Sequence, residues 1–396
     1  MSSVIRAVLS NGEHPEYGQI TVPFPIPNDQ YDRIMDMLRE LDIGDPKARD
    51  CCVDEIDSYY RVLQQLHGQE INVDEMDYLA KRLDSFFTGE ADQFQGMAAK
   101  LELMDMTDFI NLTFCCQNAT VVTDFSNLEK IGKDHFMNLN GGVCRSVDLA
   151  NLDGVETAYL LLTQTPATIT PFGVVYDNGM QLEQVYDGLH FPEYWYGDTN
   201  ISVMMTPANG KDPVETCLQF PMPDSKIGRV MLRAGVHSPE EMQLRFSSSE
   251  MPDEVDASLI MEHESLRDIN RMARVIKGMN EAEQEKLAAV ISWAKPTGAR
   301  QVANLAESLE LFDFAPKVRN AEEYGKYMIQ ESGHFEFDEN LEDYYNYEAY
   351  GRDQMASESG TFTHRGYVSY HGELSLDELM FEGPREQAFE MGGMSM

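Results

Sequence analysis

The feature that most constrains this chain is that it repeats itself. Phe24-Pro25-Ile26-Pro27-Asn28, followed by Arg33-Ile34-Met35, recurs as Phe220-Pro221-Met222-Pro223-Asp224, followed by Arg229-Val230-Met231, at an offset of 196. Further along, the offset settles at 193. Met76, Leu79, Ala80 and Leu83 then match Ile269, Met272, Ala273 and Ile276, which is one i, i+3, i+4, i+7 apolar stripe written twice. Asn127, Glu129, Gly132 and Lys133 match Asn320, Glu322, Gly325 and Lys326, and the run from Thr168 to Gly173 matches the run from Thr361 to Gly366. Blocks in one order, with a single change of offset, are hard to produce by chance. The expectation is two copies of one unit.

Each copy reads as strands, then helices, then strands, so the fold class is α+β, twice over. Residues 4–10 and 19–24 are β-rich around the turn-forming Asn11-Gly12, a hairpin signal. Pro27 and Asn28 open a helix through Leu41. Asn72 with Glu75, and Ser265 with Asp268 in the second copy, are capping-box-like helix starts. Asn280 with Glu283 starts another helix, whose face is Leu287, Val290, Ile291 and Ala294 and which Pro296 stops. A late helix runs over 322–332 with Gly333 as its C-cap. Residues 159–176 and 361–370 read as the closing β-rich segments.

These elements give a first unit at 1–180, a connector at 181–199, a second unit at 200–372 and a tail at 373–396. The connector holds Tyr186, Phe191, Tyr194, Trp195 and Tyr196, unlike a Gly/Ser linker, so it is expected to pack against a neighbour. The tail carries a short amphipathic stretch over 374–381, and its last residues are expected to be disordered.

Charge decides which partners are open to such a chain. It has 68 Asp plus Glu against 30 Lys plus Arg in 396 residues, a formal net charge of −38. The excess is shared: 33 acidic against 12 basic residues leave −21 in 1–199, and 35 against 18 leave −17 in 200–396. Binding nucleic acid through phosphate contacts needs clustered cations, so direct nucleic-acid binding is excluded, and an anionic membrane surface is disfavoured likewise. The N-terminus lacks a basic region before an apolar core, and no 18-residue apolar run occurs, which reads as a cytoplasmic protein.

No catalytic signature of the phosphate-loop, zinc-protease or nucleophile-elbow type is present. Cys51-Cys52, Cys115-Cys116, Cys144 and Cys217 form neither a disulfide framework nor paired zinc knuckles, and read as free, mostly buried thiols. Asp148 to Glu156 places Ala150 and Leu152 where a calcium loop needs oxygen ligands. His364 and His371 lie close in sequence but lack a thiol or carboxylate at ligand spacing. No metal, no cofactor and no enzymatic activity are expected. A carboxylate-pair hydrolase stays as the third reading, because such a pair carries no sequence signature.

The acids themselves are patterned. Asp54, Glu55, Asp57, Glu70, Asp74, Glu75 and Asp77 flank the first helical stripe, and Asp338, Glu339, Glu342, Asp343, Glu348 and Asp353 crowd a short segment of the second copy. There Leu341, Tyr344 and Tyr345 share one helical face and Glu339, Glu342 and Asp343 another. Side chains three or four apart on a helix are about 5 to 6 Å apart, of the same order as phosphates along a DNA strand. Like charges this dense cost stability, so a use for them is expected, and imitation of the charge on DNA would be one.

The run Tyr344-Tyr345-Asn346-Tyr347-Glu348-Ala349-Tyr350-Gly351-Arg352-Asp353, followed by Ser359-Gly360-Thr361-Phe362, resembles the closing region of the ArdA antirestriction proteins. Asp268-Ile269-Asn270-Arg271-Met272 and the run from Tyr327 to Gly333 are similar to that family's earlier helices, so the resemblance covers about 200 to 372. It implies an acidic protein carried on a mobile element that acts as a DNA mimic. Such a protein occupies the DNA-binding groove of Type I restriction-modification enzymes, at their methyltransferase and specificity subunits. Tyr347, Ala349, Tyr350, Gly351, Arg352 and Asp353 carry the family motif, with Tyr347 and Tyr350 expected to pack rather than touch the target. The first copy departs from it, reading Gly141-Gly142-Val143-Cys144-Arg145-Ser146-Val147-Asp148 after its last helix. The resemblance also implies two tandem copies of an elongated acidic unit made of small α/β subdomains, and, because family units pair, a pseudo-dimer within one chain or a homodimer. The main rival is an acidic adaptor or decoy for another basic protein, such as a relaxase, recombinase or nucleoid protein.

Overall fold

The computed structural model describes residues 3–208, 213–333 and 336–383. It divides into two compact units, Met1–Tyr196 with Pro223–His237, and Gly197–Met222 with Ser238–Met396.

The first unit opens with β1 (Ile5–Ser10), β2 (Gln19–Phe24), α1 (Tyr31–Glu40), β3 (Cys51–Ser58) and β4 (Glu70–Ile71). These strands form one antiparallel sheet in the order β2-β1-β3-β4. Alternation sends Ile5, Ala7 and Leu9 inward from β1 and Ile20, Val22 and Phe24 inward from β2, where α1 covers them with Tyr31, Ile34, Met35 and Leu38. Next come α2 (Val73–Asp84), α3 (Thr88–Lys100) and α4 (Met106–Leu112). Asn72 caps α2 by accepting from the backbone N–H groups of Asp74 and Glu75. The stripe Met76, Leu79, Ala80 and Leu83 is fully buried; burial of one such side chain stabilises by about 1.5–3 kcal/mol.

A smaller subdomain follows: β5 (Thr120–Val122), α5 (Leu128–Leu139), α6 (Ser146–Ala150), α7 (Gly154–Gln164), β6 (Thr168–Thr170) and β7 (Gly173–Tyr176), with sheet order β5-β7-β6. Its core is Val122, Ile131, Ala158, Leu161 and Tyr176. Residues 159–164 belong to α7 and are not the β-rich segment expected from the run Tyr159-Leu160-Leu161-Leu162. Asp153 caps that helix at Glu156 N, and Ala158 and Leu161 bury as an i, i+3 pair. The last element of this unit is α8 (Asp224–Arg233).

The second unit contains β8 (Ile201–Pro207), β9 (Thr216–Phe220) and β10 (Met242–Ser249) in the order β10-β8-β9. They precede α9 (Asp253–Ala257), α10 (Leu266–Lys277), α11 (Glu281–Ala294) and α12 (Ala299–Glu307). Ser265 caps α10, whose Ile269, Met272, Ala273 and Ile276 are buried, and Asn280 with Glu283 forms a complete capping box on α11. A second small subdomain holds β11 (Phe312–Pro316), α13 (Ala321–Gln330), α14 (Tyr347–Ser357), β12 (Ser359–Phe362) and β13 (Gly366–Tyr370), with sheet order β11-β13-β12. Between α13 and α14 the chain forms a 3-10 turn, Glu339–Tyr344, and not the α-helical face expected there. Within the tail, α15 (Leu376–Glu382) is capped by Ser375 and held to α12 by Asn304, whose side-chain N–H donates to the Met380 carbonyl at 2.8 Å. Residues 384–396, where disorder was expected, lie outside the described residues. Among the described residues no helix is long and apolar enough to cross a membrane.

Both helix pairs of the small subdomains cross at glycine. A Cβ on Gly132 would run into the Gly154 carbonyl, and one on Gly325 into the carbonyl of Tyr347. A Cβ on Gly351 would likewise meet the carbonyl of Ala321. Gly351, inside the family-like motif, is therefore a packing residue that lets α13 and α14 touch backbone to backbone.

Candidate acidic recognition surface

One set of carboxylates faces solvent on the first sheet. The pairing of β1 with β3 shifts between Val8 and Leu9: Val8 faces Glu55 and Leu9 faces Val53, so Asp54 is the extra residue of a bulge. The bulge breaks the strict alternation of β3, and Asp54, Glu55 and Asp57 are all exposed while Val53 and Ile56 stay buried. Glu70 is exposed on the neighbouring β4, opposite Cys52. Arg6, opposite Asp57, brings a cation to this face.

The other acids of the first cluster are inside. Asp74 is largely buried, where Arg229 grips it at 2.8 Å and the Tyr31 hydroxyl donates to it at 3.2 Å. Glu75 is 2 % exposed. It accepts from the Tyr186 hydroxyl at 2.9 Å, and Arg49 Nε lies 3.4 Å from its second oxygen. Burial raises its pKa above the usual carboxylate range despite Tyr186, Arg49 and Arg233. Asp77 is 4 % exposed and accepts from Ile26 N at 2.8 Å and from Lys81 Nζ at 2.5 Å. Burial would raise it too, but Lys81, Lys226 and the Ile26 N–H outweigh that and hold it low. A carboxylate enclosed this way presents no charge to a partner, so Asp74, Glu75 and Asp77 leave the recognition surface.

Sequence reasoning missed what covers them. The apolar stripe of α2 faces the core, and its acidic side is covered by the aromatic connector and by α8. Tyr186 is fully buried, Phe191 stacks on Tyr78 with ring centroids 4.7 Å apart, and Tyr194 and Tyr196 donate to the Lys81 carbonyl and to Asp84. From α8, Arg233 donates to the Tyr186 hydroxyl at 2.7 Å, to Asn72 and to the Pro46 carbonyl. The density of aromatics in the connector was the available signal.

The second acidic cluster sits at the turn before α14. Asp338 is exposed and caps the 3-10 turn through Asn340 N. Glu342 is half-exposed and held by Lys326 at 3.1 Å and Gln330 at 3.2 Å, whose hydrogen bonds keep its carboxyl below the usual range. The side chains of Glu339 and Asp343 lie outside the described residues. Glu348 pairs with Arg352 at 2.5 Å one helical turn on, and Asp353 is exposed. Tyr347 accepts from Gln330 at 2.9 Å and donates to the Glu342 carbonyl, which ties the turn to α14. Tyr350 is half-buried and Ala349 exposed.

His364 and His371 face different carboxylates, Glu254 at 2.9 Å and Asp313 at 3.3 Å. All six cysteines are free, with Cys51, Cys115 and Cys116 buried. Among the described residues no group of three or more His, Cys, Asp and Glu is placed to hold a metal ion. The arrangement offers exposed carboxylates on a framed scaffold.

Residues 213–369 match the family described as Antirestriction protein (ArdA), a stretch that takes in β9 through most of β13. No curated protein matches the chain. The match to the ArdA antirestriction family thus lies in residues 213–369, and it includes the turn and helix that carry the Tyr-Gly-Arg-Asp motif.

Proposed function

We propose that the protein inhibits Type I restriction-modification enzymes as a DNA mimic, occupying the DNA-binding groove formed by their methyltransferase and specificity subunits in the cytoplasm. The observation that carries this reading is the family match over 213–369 together with a net charge of −38 whose exposed carboxylates stand on both units. A groove that clamps DNA is cationic. An acidic surface is steered into it quickly and binds without reading bases, because only charge has to match. The antirestriction reading requires no chemical step, so the protein acts by occupying the groove and not as an enzyme.

We further propose that the chain is two copies of one unit, at 1–180 and 200–372, with 181–199 between them and 373–396 as a tail. Recurrence of local structure supports this. Val73 and Leu266, Leu128 and Ala321, and Gly154 and Tyr347 open helices 193 residues apart, capped by Asn72 and Ser265, Asn127 and Asn320, and Asp153 and Asn346. Thr170 and Thr363 close the same turn, each hydroxyl donating to the carbonyl of the glycine three residues on, at 2.8 and 2.9 Å. Two copies would place two acidic units in one molecule, though β10 lacks the carboxylates of its counterpart β3 and carries Arg245 instead.

The test is phage plating. Cells with a Type I system are expected to plate unmodified phage at far higher efficiency when they express this protein. Unchanged efficiency at confirmed expression contradicts the proposal.

A further inference from the structure

The first unit has a groove of about 670 Å³ where the end of β3 meets the turn between α2 and α3. Two aromatic rings in its wall stand in solvent: Tyr59 is 66 % exposed and Phe87 80 %. The backbone beneath them is fixed. Tyr60 packs edge-on against Phe94, with ring centroids 5.9 Å apart, and its hydroxyl donates to the Leu83 carbonyl at 2.8 Å. The Phe87 N–H donates to Glu90 at 2.8 Å and closes the first turn of α3. Phe87 thus occupies the N-cap of α3, where a Ser, Thr, Asp or Asn would serve the helix. Asp84 ends α2, where the helix dipole favours a cation. Neither choice is explained by its helix, and both residues line the groove. Asp57 lines it too, opposite Arg6, so the groove holds two carboxylates against one cation.

We propose that this groove is a socket for an arginine side chain of a basic partner protein. Charge and ring chemistry together select that occupant. The carboxylates repel an anion, and a planar guanidinium lies flat on an aromatic face while its N–H groups reach carboxylate oxygens. The same unit seats two of its own arginines in this way. Arg82 lies over the rings of Phe114 and Tyr194, 4.3 and 4.6 Å from their centroids, and donates to the Thr113 carbonyl at 3.0 Å. Arg233 lies over Phe191 at 4.4 Å and donates to the Pro46 carbonyl at 2.6 Å. The groove offers rings and oxygens of the same kind, open to solvent. That the arginine belongs to an enzyme that clamps DNA rests on the function proposed above; that the groove takes an arginine does not.

The experiment is a titration of the full chain with three short Gly/Ser peptides that differ only in one central residue: arginine, lysine or citrulline, the last an uncharged analogue of arginine. Binding is followed to millimolar peptide by the methyl resonances of Val4, Leu83 and Ala91, which line the groove. Saturating shifts are expected with the arginine peptide, binding about three- to tenfold weaker with lysine, and none with citrulline. Tyr59→Ala with Phe87→Ala removes two exposed rings, so the melting temperature is expected to hold while the arginine shifts are lost. Phe87→Tyr keeps the ring and is expected to bind as the wild type does. An arginine peptide that leaves these methyls unmoved, or binds no more tightly than its lysine or citrulline counterpart, overturns the inference, as does a folded double-alanine variant that binds equally well. Because the probe is a free peptide, failure here leaves the phage-plating result untouched, and a failure in plating leaves this inference standing.

Discussion

Two acidic runs lie about one helix length apart in the first unit and read alike in sequence: Asp54, Glu55 and Asp57 on β3, and Asp74, Glu75 and Asp77 on α2. The first set stands in solvent on the outer face of a sheet, and the second is enclosed by Arg229, Tyr186, Lys81 and the connector. The cause is local in the first run and distant in the second. A bulge turns the β3 acids outward, whereas segments distant in the chain fold over the α2 acids. In a chain this acidic, a carboxylate is open to solvent and partners or serves as a structural strut according to what covers it.

The largest effect should come from breaking a strut. Arg229→Met leaves Asp74 enclosed without its cation, and loss of one partner of a largely buried pair costs about 3–5 kcal/mol; urea unfolding measures it. A cost under 1 kcal/mol would mean that Asp74 is hydrated and belongs with the surface set.

A pH experiment sharpens the contrast. Burial raises Glu75 above its unfolded value, so its contribution to stability is fully present below that unfolded value and is lost as pH climbs through the raised one. Glu75→Gln keeps the hydrogen bond with Tyr186 but cannot ionise. Its stability relative to wild type is expected to improve as pH rises from about 4 to about 8, through and above the ordinary carboxylate range, and to be level at the acid end. A difference that does not vary with pH would contradict an enclosed, desolvated Glu75.

The smallest effect on stability, and the one that matters for recognition, belongs to the sheet face. Glu55→Lys, Asp57→Lys and Glu70→Lys together are expected to change unfolding free energy by about 0.5 kcal/mol or less per site. Inhibition of a Type I enzyme should weaken. Retained inhibition would place recognition on the α14 turn alone, where Asp338, Glu348 and Asp353 are exposed.

Much of the frame was legible. The stripes of α2 and α10, their caps at Asn72 and Ser265, the opening hairpin and the late helix after Asn320 depend on local spacing and local hydrogen bonds, and they follow from period and cap chemistry. What failed depends on distant contacts. The apolar run at 159–162 reads as strand until the helix-starting Asp153 and the packing of Ala158 against Gly132 are known. Gly351 reads only as one residue of the family motif until α13 is seen to need its missing side chain. The burial of Glu75 depends on Tyr186, which is 111 residues away.

If exposed carboxylates stand in for DNA phosphates, the protein must compete with duplex DNA for one groove, and a competition titration reads that directly. A Type I methyltransferase bound to labelled duplex is titrated with the full chain at low and at high salt. Displacement of the duplex is expected at low salt and should fade steeply as salt rises, as phosphate contacts do. Duplex that stays bound in excess protein at low salt would contradict it.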